Sequence, residues 1–243
     1  MNKTAEYDFT IVVPIYNETD NMSRIETELS AYLAEASRKT CVLFVNDGSK
    51  DDSLEKIQGI CTRNPHFYYI SSDQNSGLST AMKAGIDYTE SPLVGYIDGD
   101  LQTTPKDFEK LLEYADECQL VSGIRANRKD SWFKRRQSKI ANAFRRSMTG
   151  DTATDTGCPL KVMQTACAKK FPFFDGMHRF LPALTMLVGG KFKEIPVNHF
   201  PRTAGVSKYH LWNRLAGPFN DCFAFRWMRK RYISYHIDDN NIE

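Results

Sequence analysis

Residues 98–102 read Asp98-Gly99-Asp100-Leu101-Gln102 and set oxygen-bearing side chains at alternate positions. In extended backbone residues i and i+2 face the same way, so Asp98, Asp100 and Gln102 are expected to converge on one point. Hard oxygen ligands in that number suit Mg2+ or Mn2+, with the remaining positions left to phosphate and water. An isolated Asp-x-Asp is a common turn; this one gains weight because it follows an apolar run at 93–97. A further carboxylate, Asp47, closes the run at 41–45 in Asn46-Asp47-Gly48-Ser49. It can accept hydrogen bonds from a nucleobase N–H or a ribose hydroxyl, or close a plain Asx turn. Gly48 permits a tight turn there, and Ser49 or Asp51 can cap the helix that follows. Between these carboxylates lies 73–81 (DQNSGLSTA), rich in small residues. Its backbone N–H groups can meet a phosphate at a helix start, or Asn75 and Ser76 can simply cap that helix.

These side chains share a place once the elements that carry them are read. The runs at 9–15, 41–45, 67–71, 93–97 and 119–122 are short, β-branched and aromatic, and read as buried strands. Segments 21–37, 53–62, 78–89 and 106–118 have helical length and period, the last preceded by Pro105. The alternation predicts an α/β fold, a mostly parallel doubly wound sheet flanked by helices, whose ligands bind at the carboxyl ends of the strands. Asp47, the small-residue turn and the acidic triplet follow three successive strands at that edge. The first strand ends in Pro14-Ile15-Tyr16-Asn17-Glu18, without the glycine-rich turn that a dinucleotide site needs, which counts against an NAD enzyme. After Ser122 the alternation stops. A basic stretch of helical period at 132–148 leads to a Gly/Thr/Asp-rich turn at 150–157, a strand at 194–200, and an aromatic and basic tail at 209–235. No linker is visible, so the second half is expected to complete the same domain.

Length and composition, 243 residues with 41% hydrophobic and 26% charged, fit one globular domain. The formal charge of +2 conceals an asymmetry: residues 1–120 hold 10 basic and 21 acidic side chains, and the remainder 22 and 9. That pattern excludes a uniformly basic nucleic-acid coat protein and an acidic tail, and points to two surfaces with different partners. No window reaches the roughly 18 to 20 apolar residues of a membrane-spanning helix. Residues 1–8 are polar and lack an apolar signal region, so the chain is expected to stay in the cytosol. Six scattered cysteines without a Cys-x-x-Cys pair fit reduced core thiols, not a disulfide framework or a zinc site.

The ordered motifs VVPIYNE, VNDGSKDDS, NSGLSTAMKAG, YIDGDLQ, SGIR, GCPLKV and EIPVNHFPRTAGVSKY resemble the inverting family-2 glycosyltransferases of GT-A fold. More narrowly, they resemble the branch of the polyprenyl-phosphate and dolichyl-phosphate mannosyltransferases. The resemblance runs from about Phe9 to Tyr209. It implies a catalytic domain over 1–208, with a nucleotide-binding half at 1–120 and an acceptor-side half at 121–208, followed by a basic and aromatic segment at 209–243. It also implies that Pro14, Tyr16 and Glu18 hold the nucleoside and that Asp47 reads base or ribose. Asp98, Asp100 and Gln102 then hold a metal ion, Mg2+ or Mn2+, that bridges the diphosphate of a GDP- or UDP-linked sugar. Arg125, Arg136, Arg202, Ser207 and Lys208 match positions for the phosphates of donor and acceptor. Asp155 is the best candidate for a general base or an orienting group, with a turn residue as the plainer reading.

The expected reaction moves a hexose from the nucleotide-sugar to a polyprenyl phosphate, by attack opposite the leaving diphosphate. A family-2 enzyme acting on a hydroxyl of a glycan or glycolipid is the alternative. A nucleotide-sugar-binding or nucleotidyl-transferring protein and a membrane-surface interaction module with a degenerate site are more distant readings, the latter opposed by the complete triplet. Nine Lys/Arg between Arg125 and Arg146 and seven between Arg202 and Tyr232 are interleaved with aromatics such as Trp132, Phe144, Trp212, Phe223 and Trp227. The mixture suits the headgroup level of an anionic membrane, where each cation contributes about 1 kcal/mol. It equally suits core packing, and no nucleic-acid module is recognisable. The expected location is cytoplasmic, peripheral at the inner membrane face through the lipid surface or a membrane protein partner.

Overall fold

The computed structural model describes residues 2–126, 132–201, 213–235 and 238, with backbone alone at 132–140 and 213–216. Seven strands, β1 (Phe9–Ile15), β2 (Thr40–Asp47), β3 (Phe67–Ser72), β4 (Leu93–Tyr96), β5 (Leu120–Arg125), β6 (Lys161–Gln164) and β7 (Phe192–Val197), form one sheet. Their order is β3-β2-β1-β4-β6-β5-β7. All neighbours pair in parallel except β6, which runs antiparallel to both β4 and β5. The mostly parallel α/β sheet expected from the alternation is therefore present. Among the described residues the α-helices are α1 (Met22–Glu35), α2 (Ser53–Arg63), α3 (Leu78–Asp87), α4 (Phe108–Leu112), α5 (Trp132–Thr149), α6 (Thr165–Ala168), α7 (Leu181–Leu187) and α8 (Asn213–Arg231).

The sheet is covered on both faces, which is why its central strands read as unbroken apolar runs. On one face Phe9, Ile11, Val13 and Ile15 of β1 meet Met22, Ile25, Leu29 and Tyr32 of α1, Ile57 and Ile60 of α2, and Phe108 and Leu111 of α4. On the other, Val12 and Val94 meet Met82 and Ile86 of α3, Met148 of α5, Leu181 and Leu184 of α7, and Cys222 and Phe225 of α8. Phe108 contacts Phe9 edge to face at 5.2 Å, and truncating such a fully buried ring costs about 3–5 kcal/mol. All six cysteines are free, and burial pushes the Cys41 and Cys61 thiols up to about 11.

Several expectations need correction. The helix expected at 106–118 is a 3-10 turn at Pro105–Asp107 followed by the short α4. Beyond Leu112 the backbone tightens into i to i−3 bonds, from Tyr114 N to Leu111 O and from Ala115 N to Leu112 O. β7 begins at Phe192 and ends at Val197, short of residue 200. β6, α6 and α7 had no counterpart in the sequence reading. The triplet is not extended either: β4 stops at Tyr96, and Leu101 N donates to Asp98 O at 3.1 Å with Leu101 at φ +45°. A turn, and not strand alternation, carries Asp98, Asp100 and Gln102.

Candidate active site

At the carboxyl edge of β1, β2 and β3 the connecting loops are stitched together in series. Asp47, only 4% exposed, reaches across to the loop before α3. Its Oδ1 accepts from Ser76 N at 2.9 Å, and its Oδ2 from Gly77 N at 2.9 Å and Asn75 Nδ2 at 2.7 Å. Of the two local readings, the Asx turn is not what forms. Gly48 sits at φ +62°, and a Cβ there would stand 2.3 Å from the Gln74 carbonyl carbon, so only glycine allows the two loops to touch. Toward β1, Asn17 N donates to Ser49 Oγ at 3.0 Å, Lys50 N to Asn17 Oδ1 at 2.8 Å, and Glu18 N to Ser53 Oγ at 2.9 Å. Burial alone would raise Asp51, but hydrogen bonds from Ser53 and Thr19 outweigh it and hold the carboxyl below its usual range. Pro14 in β1, Tyr16, Glu18 and Asp47 thus all lie at one sheet edge.

The turn after β4 is braced from three directions. The Tyr96 hydroxyl donates to Asp98, and Gln102 N donates to Asp100 Oδ1 at 3.2 Å. From α1, Arg24 Nη2 donates to Leu101 O at 3.0 Å. Phe200 N donates to Gln102 O at 2.8 Å, which ties the chain after β7 to the same turn. Among the described residues no group of three or more His, Cys, Asp or Glu could hold a metal ion. Two carboxylates and an amide on one turn do fit a hard divalent cation such as Mg2+, which is commonly held by one or two carboxylates together with substrate phosphates.

Across the sheet, β5 ends in Arg125, whose guanidinium is clasped by Asp155, itself 7% exposed. Asp155 Oδ2 accepts from Arg125 N at 3.0 Å and Nε at 2.9 Å, and Oδ1 from Nη2 at 2.7 Å. Such a forked pair fixes the plane of the guanidinium. Glu194 of β7 holds the preceding loop, accepting from Thr154 N at 2.9 Å and Asp155 N at 3.1 Å. A second buried pair, Arg145 with Asp151, joins the end of α5 to the same loop, and Asp151 also accepts from Ala153 N at 2.8 Å. Lys161, at the start of β6, is buried at 2% exposure and bonds the Cys158 carbonyl. Burial pulls its ammonium down, while Cys158, Asp98 and Asp155 pull it back up.

Of the residues expected in the site, Asp98, Asp100 and Gln102 share one turn and Arg125 meets Asp155. The side chain of Arg136, and Arg202, Ser207 and Lys208 entirely, lie outside the described residues. The sequence reading missed Arg24, Tyr96, Lys161 and Glu194. Tyr96 and Lys161 left one trace each, a hydroxyl two positions before Asp98 and a charge inside an otherwise apolar run. It also missed Ser79, inside a motif it quoted, whose Oγ accepts from Gly176 N at 3.0 Å and contacts His178 Nδ1 at 2.9 Å. Burial, then the charges of Arg179 and Lys161, brings His178 down to about 3.

Residues 10–176 match the family described as glycosyl transferase family 2. The undecaprenyl-phosphate 4-deoxy-4-formamido-L-arabinose transferase of Edwardsiella ictaluri is 32% identical over 211 residues, 86% of this chain. The chain spans 65% of that relative's length. Mannosyl-3-phosphoglycerate synthase from Rubrobacter xylanophilus superposes with a TM-score of 0.71 at 16% identity, covering 96% of this chain and 80% of that one. Glucosyl-3-phosphoglycerate synthase from Mycobacterium tuberculosis, in complex with Mn2+, UDP and its product, gives 0.67 at 14% identity, covering 94% and 82%. At such identities the likeness is one of fold, and the fold is GT-A.

Proposed function

The chain belongs to glycosyl transferase family 2, and from that premise we propose that it moves a hexose from a GDP- or UDP-linked donor to a polyprenyl phosphate, with inversion, at the inner membrane face. The observation that carries this reading is the Arg125–Asp155 pair: a guanidinium held in a fixed plane at a strand end, beside a carboxylate already occupied by three hydrogen bonds. A phosphate monoester acceptor is anionic near neutral pH and needs a cation and a position, whereas a hydroxyl must lose its proton to a base. Asp155, engaged in this way, suits orienting Arg125 better than taking a proton, which favours the lipid phosphate over the hydroxyl acceptor. The undecaprenyl-phosphate transferase among the relatives supports the same choice.

In this reading Pro14, Tyr16, Glu18 and Asp47 receive the nucleoside. Asp98, Asp100 and Gln102 would hold Mg2+ or Mn2+, which when bound neutralises charge developing on the diphosphate. Arg125, with Arg136, Arg202, Ser207 and Lys208, holds acceptor and donor phosphates. An acceptor oxygen forms a bond to the anomeric carbon from the face opposite the donor. The bond to the diphosphate oxygen breaks, and its electron pair leaves with the nucleoside diphosphate. Purified protein incubated with a panel of nucleotide sugars, Mg2+ or Mn2+ and short polyprenyl phosphates is expected to yield lipid-linked sugar. Hydrolysis alone, or transfer only to hydroxyl acceptors, overturns the reading.

A further inference from the structure

α8 has two unlike sides. At 100° per residue, Cys222, Phe225 and the half-buried Asp221 and Met228 fall on the side that packs inward. Phe225 stacks on Phe180 at 5.6 Å, and Asp221 lies against the backbone at Gly176, where an added Cβ would stand 2.7 Å from its Oδ2. That inner side therefore touches the loop that Ser79 holds against α3. The opposite side carries Phe219, Phe223 and Trp227 at i, i+4 and i+8, exposed by 50%, 49% and 66%. They form an ordered ridge: Phe144 of α5 stacks on Phe219 at 4.9 Å, and Phe219 meets Phe223 edge to face at 5.2 Å. Arg226, Lys230 and Arg231 are exposed around the ridge, and just beyond α8 Ile233 and Tyr235 are each 80% exposed. Asp221, the one acid of the helix, is on the inner side.

We infer that this side of α8 is a docking surface for an anionic lipid bilayer, a partner that deepens the lipid-acceptor reading and rests on it. Charge complementarity selects the occupant. Aromatic rings and cations together, with the one acid of the helix turned inward, match the headgroup level, where rings sit at the apolar boundary and Lys/Arg meet anionic lipid. A second copy of the chain seated on the ridge would bring Arg226, Lys230 and Arg231 against their like, which is repulsive.

The test is co-sedimentation of the full chain with vesicles of phosphatidylcholine alone and of phosphatidylcholine with 30 mol% phosphatidylglycerol. The expected result is at least tenfold stronger binding to the anionic vesicles. The double variant Phe223→Ser/Trp227→Ser should lose about tenfold or more of that binding, and Lys230→Glu/Arg231→Glu should erase the preference for anionic lipid. Both variants should turn over a short, water-soluble polyprenyl phosphate within about twofold of the parent. Equal binding to both vesicles, or variants that bind like the parent, overturns the proposal. So does a dimer in sedimentation velocity that the ridge variant makes monomeric. Vesicle binding through α8 without lipid-linked sugar would sink the acceptor reading and leave the surface standing; turnover of the short acceptor without vesicle binding would do the reverse.

Discussion

The two halves of the sheet edge hold their functional side chains by different means. Beside β1–β3, side-chain oxygens are met mainly by backbone N–H groups of the adjoining loop, as where Ser76 N and Gly77 N donate to Asp47 and Asn17 N donates to Ser49. Beside β5–β7, backbone N–H groups donate as well, but ion pairs are added to them, the half-buried Arg125 with buried Asp155 and the buried Arg145 with Asp151. The first arrangement divides its energy among several bonds of about 1–3 kcal/mol each. The second concentrates it, because removing one partner of a buried pair strands the other charge at about 3–5 kcal/mol. Geometry beside β1–β3 should therefore degrade gradually under mutation, and geometry beside β5–β7 abruptly.

Four substitutions probe that contrast. Asp100→Ala removes a metal ligand in the proposed reading and should cut transfer about a thousandfold, some 4 kcal/mol, with the thermal midpoint nearly unchanged; full activity in the lipid-linked sugar assay would remove the metal assignment. Asp155→Asn should cost about 3 kcal/mol of stability in urea unfolding and raise KM for the lipid phosphate more than KM for the nucleotide-sugar. A change confined to kcat with a shifted pH profile would instead restore Asp155 as the base.

His178 gives a pH-dependent measure of the contact between its loop and Ser79 of α3. Its folded value, about 3, lies below its ordinary 6.5. The unfolded chain therefore takes the proton first as pH falls. The stabilisation is complete above pH 6.5 and is lost as pH drops from there toward 3. Between pH 7.5 and 5 urea unfolding should register a loss of about 2 kcal/mol, which His178→Gln should flatten. Asp47→Asn is the smallest expected effect: about 1.4 kcal/mol, read as roughly tenfold weaker nucleotide binding by calorimetry. If Asp47→Asn destabilised the fold more than Asp155→Asn, the contrast between the halves would be inverted.

The same contrast explains what could be read in advance. The β1–β4 edge is local: β1 through β4 were apparent as apolar runs, Asp47 ends β2, and Asp98 and Asp100 lie within four residues of the end of β4. What failed there was backbone detail, because a strand end and a turn both satisfy an Asp-x-Asp pattern until Gly99 and Leu101 show which forms. The β5–β7 edge is built from distant segments. Arg125 meets Asp155 across 30 positions and Glu194 holds Asp155 across 39, with no periodicity to announce either. β6 escaped because four residues starting with lysine, KVMQ, carry neither the length nor the apolar pattern of a buried strand. Lys161 belongs in the interior only through partners brought by the fold.

β6 also shapes the order in which the molecule can assemble. It enters the sheet between β4 and β5, so those two strands, close in sequence, never pair with each other. β1 to β4 can zip together as soon as the first hundred residues exist, but until 161–164 arrive, β4 and β5 each present a bare edge of unpaired backbone groups. Long-range insertion of this kind is slow, and bare edges invite pairing with other chains. A nascent chain stalled before Lys161 is thus the species most exposed to aggregation, and its protection would come from whatever shields β4 during synthesis.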